Sequence, residues 1–250
     1  MVKSIKEIRE EFSNLSFKEI ENHIKLYQDD SRKGVISLLA SQRKKLKKYH
    51  DELVRIEKLK EFENKHPECQ YICGIDEVGR GPLAGPVVAG AVILPKDCQI
   101  LYINDSKKLS ASRREQLDAE IREKAVAVGI GMASHERIDQ INILQATYEA
   151  MRQAIDNLNV RPDLLLIDAV HIPQVEIPQV SIIKGDARSM SIGAASIVAK
   201  EFRDHMMEEY DKIYPGYDFA SNKGYGSKEH MEALKRQGMC PIHRRTFVHL

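Results

Sequence analysis

Five short apolar runs, each closed by a turn signal, constrain what this chain can fold into more than any other feature. They are YICGID (71–76), PVVAGAVIL (86–94), AVAVGIGMA (125–133), DLLLID (163–168) and VSIIKG (180–185). Runs of this length with little polar alternation read as strands buried on both faces, and a sheet buried on both faces needs helices on each side. Helical patterns fall where that cover is required, at about 110–124 with Ser110 as N-cap, then at 136–157, 190–213 and 227–237. The first two strands follow each other closely, whereas later ones alternate with helices. The order β-β-α-β-α-β-β-α-α therefore predicts an α/β fold built on a mixed sheet.

Ahead of the strands, Leu46, Tyr49, Leu53, Ile56, Leu59 and Phe62 recur at three- and four-residue intervals, so residues 35–63 read as helical. Basic side chains from Arg43 to Lys60 outnumber acidic ones there by eight to three, a face that suits either solvent or a duplex backbone. Composition changes after His66-Pro67, which sets the expected boundary between a helical N-terminal extension (1–66) and the main domain (67–250).

Net charge is only +1, but its distribution is uneven. Residues 1–66 hold 16 basic against 12 acidic side chains, residues 67–220 hold 16 against 23, and residues 221–250 hold 6 against 2. Basic ends around an acidic centre suit a protein that attracts phosphate at its periphery and holds cations in the middle. No apolar run is long enough to span a membrane, and the charged N-terminus MVKSIKEIREEF does not resemble a signal peptide, so a cytoplasmic location is expected. The four cysteines form no CxxC pair and read as reduced thiols.

Four acids share one local setting. Asp76 and Glu77 follow YICGI, Asp168 follows LLLI, and Asp186 follows SIIKG, so each ends or follows a strand-like run. Carboxylates crowded at strand ends repel one another, and a divalent cation is their natural counter-charge. Oxygen-only ligands favour Mg²⁺ or Mn²⁺ over zinc. Gly79-Arg80-Gly81 permits close backbone approach to a ligand and adds a guanidinium that can meet phosphate. A dinucleotide-binding fingerprint fits this segment poorly, because Pro82 and Pro86 interrupt the helix that should follow. Lys223-Gly224-Tyr225-Gly226 combines an aromatic ring with a basic residue, as nucleic-acid contacts often do. The stretches Asp105-Ser106-Lys107-Lys108 and His243-Arg244-Arg245 are further candidates for phosphate contact.

The segment Gly74-Ile75-Asp76-Glu77-Val78-Gly79-Arg80-Gly81-Pro82-Leu83-Ala84-Gly85-Pro86 resembles the opening signature of bacterial ribonuclease HII. The likeness continues through Asp105 to Leu109, Ile167 to Ala169, Lys184 to Ala187, Ala195 to Lys200, Tyr214 to Tyr217, Lys223 to Gly226 and His243-Arg244. It implies a ribonuclease H-like fold with a central five-stranded mixed sheet flanked by helices. It also implies that Asp76, Glu77, Asp168 and Asp186 bind catalytic Mn²⁺ or Mg²⁺. Gly79, Arg80 and Gly81 are then expected to read the 2′-hydroxyl and phosphate at an RNA-to-DNA junction, and Tyr225 to pack on the next sugar. Lys107, Lys184 and Lys223 in the matched stretches are expected along the substrate. The sister family, ribonuclease HIII, usually lacks the Gly-Arg-Gly arrangement and carries a strand-rich N-terminal domain. Arg80 and the helical N-terminal pattern here favour HII.

The implied activity is two-metal hydrolysis of RNA in RNA/DNA hybrids and 5′ of ribonucleotides embedded in duplex DNA. Its products are 3′-hydroxyl and 5′-phosphate ends, and the enzyme is expected to work as a monomer. Two readings compete: a DNA nuclease or transposase of the same fold, and a non-catalytic nucleic-acid binding protein.

Overall fold

Ser4 and Ser16 each accept a hydrogen bond from the backbone N–H three residues on, while Glu7 and Glu19 accept one back from the serine N–H at 2.6 and 2.8 Å. These reciprocal caps start two helices, α1 (Ile5–Ser13) and α2 (Phe17–Leu26). A long helix, α3 (Lys33–Leu59), follows. The computed structural model describes residues 3–249, and the chain divides into two compact units, Met1–Lys58 and Leu59–Leu250. The first unit closes on Ile8, Phe12, Ile20, Ile24, Val35, Leu38, Leu39 and Leu46. Arg43, Lys44, Lys45, Lys47 and Lys48 on α3 are exposed.

The second unit begins with the end of α3 and a single turn, α4 (Glu61–Asn64), and then builds a five-stranded sheet. Its strands are β1 (Ile72–Val78), β2 (Val87–Ile93), β3 (Ala127–Ala133), β4 (Leu164–Asp168) and β5 (Gln179–Ile182), in the spatial order β3-β2-β1-β4-β5. β1–β2 and β2–β3 pair antiparallel, whereas β1–β4 and β4–β5 pair parallel, so the sheet is mixed as the spacing of the runs implied. The connecting helices are α5 (Ala111–Lys124), α6 (His135–Asp156), α7 (Met190–Ile213), α8 (Phe219–Asn222) and α9 (Lys228–Gln237). Ser110 caps α5, as its sequence position suggested.

Cys73, Ile75, Val87, Ala89 and Ala91 pack with Ala146, Ala150 and Ala154 of α6 on one face of the sheet. On the other face α7 lies directly against β1: a Cβ on Gly74 would fall 2.0 Å from the Ser191 backbone. That approach is open only to glycine. Glu63 of α4 accepts hydrogen bonds from the Ser189 hydroxyl and from the N–H and hydroxyl of Ser191, which fastens α4 to the start of α7. All four cysteines are free thiols. Among the described residues no helix is long and apolar enough to cross a membrane.

Candidate active site

Because β1, β4 and β5 run parallel, their carboxyl ends emerge at one edge of the sheet. Asp76 and Glu77 lie just before the last residue of β1, opposite Gly90 and Ala89 of β2, and Asp168 closes β4 opposite Ile182. Beyond β5, Lys184 takes a left-handed conformation (φ 57°) and the chain folds into a short 3₁₀ turn, Gly185–Ala187. Asp168 Oδ1 holds that turn by accepting the Gly185 N–H at 2.7 Å. The turn delivers Asp186 to the same edge.

Asp76, Glu77, Asp168 and Asp186 consequently line one cavity of about 340 Å³, together with Gly79, Arg80, Gly81, Lys107 and Tyr225. Ser106 and Ser196 also line it, with their hydroxyls 3.0 Å apart. Ser106 belongs to the stretch singled out above for phosphate contact, whereas Ser196 was given no role of its own. Ser196 had a signal, a hydroxyl in the otherwise apolar stretch of α7, and its side chain hydrogen-bonds Asp76. Two expected residues lie elsewhere. Lys184 does not line the cavity, and the Lys223 ammonium pairs with Glu208 at 2.6 Å. The His243-Arg244 stretch is not the surface phosphate contact that its charge suggested. Both side chains are buried, Arg244 turned inward onto backbone carbonyls and His243 against His230.

The electrostatics of the acids follow from crowding. Asp76 is almost fully buried, and burial raises its carboxyl well above the ordinary range, with the charges of Glu77 and Asp168 adding to the effect. Burial likewise raises Glu77, against which Arg80 works from 3.3 Å. Asp186 is raised by burial first, then by Asp105 and Asp168. Four carboxylates thus face only Arg80 and Lys107 as cations in the cavity lining.

No histidine or cysteine lines this cavity, so its charged donors are carboxylate oxygens alone, the set that suits hard divalent cations such as Mg²⁺ and Mn²⁺. Among the described residues no group of three or more His, Cys, Asp or Glu side chains is disposed to hold a metal ion as it stands.

A mixed five-stranded sheet between helices, with acids at the carboxyl ends of its parallel strands, is the ribonuclease H-like architecture. Two solved proteins share it: the ribonuclease H2 of Pyrococcus horikoshii OT3 (TM-score 0.58, 26% identity, 70% of this chain and 93% of that one) and the RNase HII in the PCNA:RNase HII complex of Archaeoglobus fulgidus (TM-score 0.59, 27% identity, 72% and 96%). The family profile "Ribonuclease HII" matches residues 73–250, and "Ribonuclease HII N-terminal domain" matches residues 4–66. Ribonuclease HII of Lachnoclostridium phytofermentans is 64% identical over 222 residues, 89% of this chain and 87% of that protein. The chain belongs to the ribonuclease HII family, whose members are endonucleases that hydrolyse RNA in RNA/DNA hybrids.

Proposed function

We propose that this chain hydrolyses the RNA strand of RNA/DNA hybrids and cuts on the 5′ side of ribonucleotides embedded in duplex DNA, leaving 3′-hydroxyl and 5′-phosphate ends. The observation that carries the reading is one cavity in which four clustered acids adjoin the glycine-flanked Arg80 and the ring of Tyr225. Catalysis is assigned to residues 67–250, with 1–66 as a helical extension.

Asp76 with Asp186, and Glu77 with Asp168, are the pairs assigned to hold two divalent cations, Mg²⁺ or Mn²⁺. Bound between acids, such cations make water nucleophilic near neutral pH and neutralise a departing oxygen. The chain supplies the rest. Arg80, already turned toward Glu77, neutralises phosphate at the scissile position, and Lys107 extends positive charge along the strand. The backbone of Gly79, Arg80 and Gly81 meets the 2′-hydroxyl, the group that separates RNA from DNA at this reach. Tyr225, 42% exposed, offers its ring to the neighbouring sugar. Lys184 and Lys223 are assigned to more distant phosphates, Lys223 by exchanging its partner Glu208.

Three duplexes test this with Mg²⁺ and with Mn²⁺: a hybrid, an all-DNA duplex, and the same duplex carrying one ribonucleotide. Cleavage of the first and third alone supports the proposal. Cutting of the all-DNA duplex points to a DNA nuclease, and three intact substrates to a binding protein. A 2′,3′-cyclic phosphate product would exclude water as nucleophile.

A further inference from the structure

Arg203 and Arg244 are fully buried, and among the described residues neither forms an ion pair. Their donors go to backbone carbonyls instead. Arg244 donates Nε to Gly85 O (2.9 Å), Nη1 to Arg80 O (2.9 Å) and Nη2 to Gly79 O (2.5 Å). Arg203 donates Nε to Pro86 O (2.9 Å), Nη2 to Ala84 O (3.1 Å) and Nη1 to Lys223 O (2.9 Å). Five of these six acceptors lie in the single loop 79–86, and the sixth lies two residues before Tyr225.

Burying a guanidinium without a counter-charge costs several kcal/mol unless its donors are satisfied. Burial pushes Arg203 down to about 10 and Arg244 down to about 9, so both remain charged at neutral pH. Closing a loop does not require two such groups. Drawing a set of carbonyls to one side suits them, because a guanidinium presents five donors in a fixed fork.

In a trans peptide the N–H points opposite to the preceding C=O, and no peptide among the described residues is cis. With the Gly79 and Arg80 carbonyls drawn onto Arg244, the N–H groups of Arg80 and Gly81 are aimed away from that guanidinium, and both residues line the cavity. Arg203 completes the arrangement from beneath. Gly79 has φ +91°, and a Cβ there would meet Arg203 Nε at 2.3 Å. The Tyr225 segment is tied to the same loop, since Leu83 N–H donates to Gly224 O at 2.8 Å.

We infer that Arg203 and Arg244 are positioning residues for specificity: from inside the protein they hold the Gly79–Gly81 backbone and the Tyr225 loop in the one arrangement that distinguishes a ribonucleotide from a deoxyribonucleotide. This rests on the assignment of Gly79–Gly81 to the 2′-hydroxyl. It adds that the discrimination is set by two side chains that never touch substrate.

The test compares the full chain with its Arg244→Lys variant, which keeps the charge and loses the fork. Fluorescence anisotropy without divalent cation measures affinity for a duplex with one ribonucleotide and for the same all-DNA duplex. The variant is expected to lose about tenfold of the preference for the ribonucleotide, with all-DNA affinity within about twofold and Mn²⁺-induced thermal stabilisation unchanged. A folded variant with full preference, or one weakened equally on both duplexes, overturns the inference. Absence of any preference in the unaltered chain defeats the 2′-hydroxyl assignment itself, before the arginines are judged. Hydrogen exchange on the unaltered chain needs no variant. The Leu83 and Gly85 amides should exchange as slowly as those of β1, and exchange at surface-loop rates would also overturn the inference.

Discussion

The two walls of the cavity are held by opposite means. On one wall Asp76, Glu77, Asp168 and Asp186 crowd negative charge at strand ends, with burial and mutual repulsion keeping three of them reluctant to ionise. On the other, uncharged backbone from Gly79 to Pro86 is gripped by two buried guanidiniums through five hydrogen bonds, and a sixth reaches Lys223 O. An under-compensated wall waits for an ion that arrives from solution. A fully satisfied wall fixes a shape, which is what reading a neutral hydroxyl demands.

The sharpest way to break this contrast is Asp76→Asn. Turnover with Mg²⁺ should fall by about a thousandfold or more, roughly 4 kcal/mol, while duplex affinity persists. Removing a buried, repelled carboxylate should also raise the melting temperature of the second unit, by about 2–4 °C for each kcal/mol relieved. Near-normal turnover would refute the role of Asp76.

On the opposite wall a neutral replacement should act in the other direction. Arg203→Met leaves the carbonyls of Ala84, Pro86 and Lys223 without their donor. A loss of about 2–4 kcal/mol in urea denaturation is expected. An unchanged midpoint would show that these bonds do not hold the loop.

Acidity should separate the walls in sign. Asp76, Glu77 and Asp186 have folded pKa values above their unfolded ones, so in the metal-free chain the folded state binds the extra protons. Stability should then decline as pH rises from the unfolded carboxylate range through the raised folded values. Bound Mg²⁺ or Mn²⁺ offsets that loss, so the cation-induced rise in melting temperature should be larger at about pH 8 than at about pH 5. Behind the other wall, burial lowers His243 to about 4 and also lowers His230, whose Nε2 lies 3.0 Å from that of His243. These groups contribute stability above their unfolded value near 6.5 that is lost as pH falls toward 4. His243→Gln should flatten that acid-side slope, and an unchanged slope would assign it elsewhere.

The smallest effect concerns the periphery. Glu208 holds Lys223 in a partly exposed ion pair, so Glu208→Gln should change stability by less than about 1 kcal/mol. By freeing Lys223 it should tighten duplex binding no more than about twofold at low salt.

Most of the sheet was legible because buried strands announce themselves as short apolar runs, and the acids stood out by ending them. Strand limits were less so. β1 runs on through Glu77 to Val78 because its backbone stays paired with β2, and β5 stops at Ile182 because Lys184 turns left-handed. The N-terminal extension was expected to be helical, but helices α1 and α2 were not delimited within it, although the serine-to-glutamate spacing of Ser4–Glu7 and Ser16–Glu19 marks both starts. Arg244 misled because charge in a sequence suggests a surface. Only the fold reveals that its partners are carbonyls about 160 positions earlier in the chain.

The bond from Asp168 Oδ1 to the Gly185 N–H makes one carboxylate serve twice, as a lining group and as the latch for the turn that carries Asp186. Losing Asp168 therefore unseats its neighbour as well. Single substitutions at 168 and 186 will overlap rather than sum, and a residue-by-residue scan will credit Asp168 with work that belongs to the pair.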